Sequence, residues 1–451
     1  QDVLALSARV AQTLAPTLSL RNQLQFNHVL TEARETGANN VGTYDAATGA
    51  FTPLPTAAQG NATALPYDQL YVKLASHDRR IDDESLFDQL DLRWCAQTGP
   101  VAHDLIGGVE LGRDTYSNQA YTRSTAAGYL AVVPLLNPPY LPQPANTVTT
   151  AGNVATANAG TFGVYANDTV AFTPQWKLVA GVRWDQFRAN LANSVNSTNT
   201  AGNTSVPAAS QSVHFTSVRI GGLYQPDAVQ SYYVSYGTSF NPSLEQLTLT
   251  TGQQNLDPEK NRSYEVGAKF DLNDQALSLA TALFRTEKTD ARSLVSTGVY
   301  ALDGDVRVQG AEISASGRLT GQWQLLAGYT WLDAQIVQAS AADATQGHVP
   351  ANTPRHTAVL WSAYNITPAW EAGGGVNFMS ARYASNTNTV SAGSFARFDA
   401  TVAYHQPHYD LRVNLLNLAD RTYYAALIPS DAGRSVPGIG RTALLTATYK
   451  F

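Results

Sequence analysis

Apolar and polar residues alternate along this chain in runs of about a dozen, and the runs are joined alternately by short turns and by long polar loops. Period-two alternation marks a strand whose two faces meet different surroundings. The unit is clearest at 232–270. Tyr232, Val234, Tyr236 and Phe240 alternate, a polar loop punctuated by Asn241-Pro242 and Asp257-Pro258 follows, and alternation resumes at Tyr264, Val266, Ala268 and Phe270. A connection of roughly 20 residues far exceeds the usual loop of a compact soluble domain. Long loops on one side and tight turns on the other are the asymmetry of an outer-membrane barrel.

The unit recurs from end to end. Alternating runs fall at 2–10, 17–30, 78–96, 101–118, 161–173, 176–188, 212–225, 229–240 and 262–272. They continue at 276–290, 305–319, 322–336, 355–366, 369–383, 395–405, 409–418 and 438–451, about seventeen in all. Tight turns are expected at Ala15-Pro16, Thr98-Gly99-Pro100, Pro174-Gln175, Pro226-Asp227, Asn273-Asp274, Thr320-Gly321, Thr367-Pro368 and Pro407. The segment 120–160, with Pro134, Pro138, Pro139, Pro142 and Pro144, reads as loop, because proline cannot donate to a ladder.

The strand faces carry the membrane signal. Trp176, Leu178, Ala180, Val182 and Trp184 share one face, and Lys177, Gly181, Arg183 and Asp185 the other. Trp323 to Trp331 and Trp370 to Phe378 repeat the arrangement, with an aromatic at each end of the apolar face. Eight residues of tilted strand rise roughly 20 Å along the membrane normal, close to the apolar band between two aromatic girdles. Composition agrees. Charged residues make up only 14%, against about 25% in a soluble domain. No apolar run is long enough for a helical span. The reading is an all-β, transmembrane antiparallel barrel occupying 1–451 as one domain.

A net charge of −6 leaves no basic face for phosphate, so nucleic acid is not an expected partner. The single cysteine, Cys95, cannot form an intrachain disulfide and reads as a packed thiol beside Trp94. No signal peptide opens the chain at Gln1, which is expected of an exported protein that has been processed or truncated. Parity extends this. If the last strand ends in the periplasm, an odd count starts on a downward strand, whereas single-chain barrels are even. The expectation is that N-terminal strands are missing.

Particular segments resemble a known family. SYGTSFNPSLEQLTL followed by LDPEKNRSYEVGAKF, RVQGAEISASGRLT (307–320), WQLLAGYTWLDA (323–334) and NTPRHTAVLWSAY (352–364) resemble the barrel of TonB-dependent siderophore receptors, the catecholate group in particular. GGGVNFMSARYAS (373–385), FDATVAYHQPHYDLRVNLLNLADRTYY (398–424), GIGRTALLTATYKF (438–451) and TGPVAHDLIGGVELGRD (98–114) extend the likeness. The resemblance implies a 22-stranded barrel, of which this chain would hold the last seventeen strands, with an N-terminal plug and a TonB-binding segment upstream. It also implies location in the outer membrane of a Gram-negative bacterium and uptake of ferric siderophores energised by the TonB complex. A passive porin is the alternative function, and a barrel enzyme a more remote one.

The implied ligand is anionic and flat-faced, so arginine and aromatic residues at the outer mouth are the candidate contacts. These are Arg382 and Tyr383, Phe187 and Arg188, Tyr116, Tyr121, Arg123, Tyr300 and Arg434, with Tyr129, Tyr140 and Tyr423 behind them. Lumen-facing Arg183, Asp185, Glu265, Lys269, Glu312 and Arg318 read as cross-strand or plug-directed salt bridges. Asp257-Pro258-Glu259 reads as turn and ion pair. No histidine pair has metal-ligand spacing, and HExxH, GxSxG and phosphate-loop motifs are absent. No catalytic residue, resident metal or cofactor is expected, the ferric siderophore being cargo. Outer-membrane lipid and lipopolysaccharide are expected to surround the barrel, and the terminal Phe451 resembles the signal read by the barrel insertion machinery.

Overall fold

The computed structural model describes residues 1–54, 65–193, 208–242, 256–296, 299–428 and 434–450, and only the backbone of 193, 294–296, 299, 300 and 434. Among them, seventeen strands form one antiparallel sheet. They are β1 (Asp2–Ala15), β2 (Leu18–Ala33), β3 (Asp78–Thr98), β4 (Val101–Ser124), β5 (Val148–Ala171) and β6 (Trp176–Asn193). Next come β7 (Ala208–Tyr224), β8 (Gln230–Asn241), β9 (Glu259–Leu272), β10 (Leu277–Ser296), β11 (Val299–Arg318) and β12 (Trp323–Gln338). The last are β13 (His356–Asn365), β14 (Trp370–Met379), β15 (Phe395–His405), β16 (Tyr409–Leu416) and β17 (Thr442–Tyr449). Each strand pairs with the next one in this series. The described sheet is open, with β1 and β17 at its edges.

The expected turns appear where turn chemistry favours them. Asn273 and Asp274 adopt φ of 51° and 53°, the left-handed region that these short polar side chains tolerate and that tight hairpins need.

The two faces separate as the alternation demands. Trp176, Val182, Ile220, Val234, Val266, Leu283 and Ile313 are exposed apolar residues on the outward face. Aromatic rings run across neighbouring strands near the short turns: Trp176 stacks on Tyr224 at 4.4 Å, Tyr224 meets Tyr232 at 6.3 Å, and Tyr232 meets Phe270 edge-on at 5.9 Å. Toward the long loops, Phe162 meets Trp184 at 6.0 Å and Tyr236 meets Tyr264 at 5.0 Å. These rows are the two interfacial girdles. On the inward face a bare backbone is needed in places. A Cβ at Gly375 would stand 2.6 Å from the Trp361 ring and closer still to the Leu360 carbonyl oxygen, so β13 and β14 approach this closely there only because the residue is glycine.

Three expectations need correction. β5 begins at Val148 rather than near 161. Its first half, VTTAGNVATANAG, is built of small residues, so no face is marked in the sequence, yet its register to β4 runs continuously from Asn118–Ala155 to Ala102–Ala171. The long loops are also not structureless. Thr36–Asp45, Ala50–Pro53, Tyr71–Ser76 and Ala131–Pro134 form a separate four-stranded sheet over the outer ends of β2 to β5. Leu70, Val72, Leu130 and Val133 make its small buried core. Cys95, finally, is exposed beside Asp104, its Sγ 4.0 Å from the carboxylate, and is not packed.

One side chain organises the exit from β16. Asn417 is fully buried at φ 52°. Its amide nitrogen donates to the Arg421 and Ile439 carbonyls at 3.0 and 2.9 Å, its amide oxygen accepts from the Arg421 N–H at 3.0 Å, and its backbone N–H donates to Asp399 at 2.9 Å. Asn417→Ala strips three backbone groups of partners, each hydrogen bond worth about 0.5–1.5 kcal/mol. We expect a clear loss of urea resistance in detergent, and Asn417→Gly, which relieves only the φ strain, should recover less than half of it. Unchanged unfolding of the alanine variant would refute this role.

Candidate functional site

The inward face of β2 to β6 is a connected polar wall. Arg21 pairs with Asp91 at 2.8 Å. Asp91 also accepts from the Tyr165 hydroxyl, which receives Gln89 Nε2 at 2.7 Å. Arg183 lies over the Tyr165 ring at 5.4 Å and bridges Glu110 at 2.8 Å and Asp185 at 2.7 Å. Further round, Tyr233 donates to Glu265 at 2.6 Å with Lys269 above its ring. Arg412 pairs with Glu371 at 3.0 Å, and Arg397 with Asp399 at 2.8 Å. Of the expected salt bridges, Arg183 makes one to Glu110 across β5 and one to Asp185 on its own strand, whereas Glu265 and Lys269 meet the hydroxyl and ring of Tyr233, and among the described residues Glu312 and Arg318 make no salt bridge. Glu259, the first residue of β9, is buried against Lys288 and Arg292.

Two inward carboxylates stand apart from this wall. Asp83 and Asp114 line a recess of about 390 Å³ with Asn27, Ser85 and Phe187. Among the described residues, neither has a hydrogen bond or salt bridge. They offer unneutralised negative charge to whatever occupies the lumen.

The structure places the mouth candidates in distinct settings. Arg123 is buried, its guanidinium bridging both oxygens of Asp78, the Glu35 carbonyl at 3.2 Å and Gln143 at 3.1 Å. It fastens the accessory sheet to β3. Arg382 is only 3% exposed and donates to Asn352 at 2.8 Å and to the Tyr424 and Ala425 carbonyls. Burial pushes its guanidinium pKa down. It ties the hairpin Arg382–Tyr383/Ser391–Ala392 to the hairpin Tyr424–Ile428/Arg434–Pro437. Tyr383, half-buried, adds only its carbonyl, accepting from the Asn352 N–H at 2.8 Å.

Phe187 is buried with Ala159 and Ala189 against Val213 and Phe215. Arg188, the next residue, is exposed on the opposite, outward face together with Trp184. Tyr116 is half-buried inward, its hydroxyl accepting from Asn118 at 2.8 Å. Tyr121 pairs with Asp78 next to a register shift. Tyr140 is almost fully exposed and Tyr423 is buried. The side chains of Tyr300 and Arg434, and all of Phe451, lie outside the described residues. The candidates thus do not converge on one pocket.

One constellation escaped the sequence. His28, Asp82 and Glu84 bring ligand-type atoms within 4.8 Å of one another on the outward face of β2 and β3. His28 and Asp82 are 54 positions apart, so only the strand register unites them.

Comparison with known proteins gives consistent answers. The family described as "TonB dependent receptor-like, beta-barrel" matches residues 6–418. A probable TonB-dependent siderophore receptor of Acinetobacter baumannii, PiuA, is 31% identical over 64% of this chain and 40% of its own length. The catecholate siderophore receptor Fiu of Escherichia coli K12 is 27% identical over 83% of this chain and 52% of its own. The chain spans about half the length of the curated relatives it matches. Among solved structures, that of PiuA superposes with a TM-score of 0.86 at 24% identity, covering 99% of this chain and 64% of that one. Fiu in its closed form gives 0.79 at 23%, covering the same shares. These likenesses establish the barrel fold.

The two buried arginines carry a prediction. Arg123→Ala leaves Asp78 buried without its cation, a loss of about 3–5 kcal/mol for a pair of this kind. Amide exchange in 36–45 and 71–76 should accelerate strongly while β6 to β12 stay protected. Equal protection in variant and parent would show that Arg123 is not the fastener.

Proposed function

The chain belongs to the TonB-dependent receptor β-barrel family, and on that premise we propose that it is the barrel portion of a longer receptor that takes up ferric siderophores, catecholate type favoured, with energy from the TonB complex. Its place is the outer membrane of a Gram-negative bacterium. The observation that carries the reading is the inward face: groups of paired charges line it, and among the described residues Asp83 and Asp114 are without partners. Such a wall suits a lumen filled by a polar plug rather than by lipid or an apolar core. The match to only about half the length of its relatives supports further strands and a plug elsewhere in the polypeptide.

In this reading the outer loops capture the complex, the plug rearranges under TonB, and the cargo passes along the wall. Arg123 and Arg382 act by positioning loops rather than by touching ligand, and Phe187 packs β6 against β5 and β7 beside the Asp83–Asp114 recess. Direct contact falls to exposed aromatic side chains at the mouth, Tyr140 foremost, with Tyr383, Tyr116, Tyr121, Tyr300 and Arg434 as further contacts. Flat rings supply stacking area to a catecholate complex.

The test is equilibrium binding of ferric catecholate and ferric hydroxamate complexes to the full-length receptor, read by quenching of its tryptophan fluorescence. We expect the catecholate to bind at least about tenfold more tightly, a difference of about 1.4 kcal/mol. Equal affinity for both, or none for either, overturns the ligand assignment.

A further inference from the structure

The strand register aligns three outward positions just above the outer aromatic girdle. Gly160 of β5 pairs with Arg113 of β4 on one side and with Arg188 of β6 on the other. The two arginines are exposed, and among the described residues neither forms a salt bridge or hydrogen bond. Their backbones are two strand spacings apart, roughly 10 Å. Gly160 leaves the space between them open: a Cβ there would meet nothing nearer than the Gly112 carbonyl oxygen at 3.9 Å. Phe162, in the girdle with Trp184, forms the membrane-side edge of this notch. On the solvent side Asn190 donates to Asn158 at 3.3 Å and closes it with amides.

We infer that this notch binds the phosphate of an outer-leaflet lipid headgroup. Elsewhere on the same face some arginines are neutralised in place, as Arg285 is by Glu287 and Arg80 by Glu32. The outward carboxylates either side of Leu86, the partner of Arg113, are Glu84 opposite Thr115 and Asp88 opposite Leu111, and among the described residues neither makes an ion pair with Arg113. Two like charges held side by side at a membrane interface repel, and a shared anion removes the repulsion. Guanidinium forks match the oxygens of a phosphate in a bidentate manner. The site is on the lipid side of the wall, directly above an aromatic row, so the anion it meets is tethered to acyl chains lying against the apolar band. The inference rests on the outer-membrane barrel and is independent of which siderophore is carried.

The test is native mass spectrometry of the detergent-purified, delipidated protein titrated with lipid A carrying its phosphates, with dephosphorylated lipid A, and with inorganic phosphate. Phosphorylated lipid A should be retained about tenfold better than the dephosphorylated form, and inorganic phosphate should not compete at equal concentration. Arg113→Gln/Arg188→Gln should lose most of that preference. Gly160→Val should also lose it by filling the notch, while far-ultraviolet circular dichroism and heat-modifiable migration show an intact barrel. Retention unchanged in both variants overturns the site, and full competition by inorganic phosphate overturns the lipid assignment in favour of a free-anion site.

Discussion

Within a bilayer no water is available to a peptide group, so each backbone N–H and C=O inside the apolar band must find its partner in the chain itself. The antiparallel ladder from β1 to β17 meets that demand strand by strand, and the rest of the architecture follows from it. Once the ladder is fixed, successive side chains point alternately to lipid and to lumen. The apolar set then has one place to go, and a slip of one residue would put every Arg and Asp of the wall into lipid. Register is therefore specified over the whole sheet by the two faces together, more strongly than any single turn specifies it.

The ladder also decides which charges meet. Arg183 reaches Glu110 because β6 and β4 lie either side of β5, and Tyr165, between them, supplies the ring over which the guanidinium passes. Along the lumen such groups stay partly hydrated, so their pairing costs little and orders the wall. The outer rim works differently. β3, β4 and β5 run to 21, 24 and 24 residues, about twice what a span needs. Their extra length is a stalk that lifts the accessory sheet clear of the membrane. There, away from lipid and shielded from water, buried arginines hold loops to strands, and the stiffness of the mouth comes from Arg123 and Arg382 more than from its small apolar core.

That distinction explains which parts of the sequence were legible. The seventeen strands, the tight turns and the assignment of faces follow from alternation and from Asn, Asp, Gly and Pro at the hairpins, because both sheet faces are chemically distinct over most of their length. β5 was readable only where Val164 and Phe162 mark the lipid side; Ala, Thr, Asn and Gly before them mark neither. The mouth was less legible. An arginine beside an aromatic residue at a strand top, as in Arg382-Tyr383 and Phe187-Arg188, is the composition of a ligand contact and equally of a packing clamp. Telling them apart requires knowing what the loops bring into reach, here Asn352 and the carbonyls of 424 and 425. His28 and Asp82, or Arg113 and Arg188, are brought together by register alone, and no local spacing records that.

A barrel of this kind must be rigid to withstand the membrane and adaptable where it meets its cargo, and the structure assigns the two properties to different chemical groups. Rigidity lies in paired groups: the ladder, the partly hydrated lumen wall, Asn417, and the buried arginine fasteners. Among the described residues, groups without a partner include those at three places, namely the exposed Tyr140, the Asp83–Asp114 recess and the outward arginine notch. Each faces a different phase, respectively the external water, the lumen and the lipid headgroups. An unsatisfied charge or an exposed ring at such a boundary is costly to keep unless something from that phase complements it. On the proposed reading these uncommitted groups are where the barrel meets other molecules, and the committed ones hold them in position.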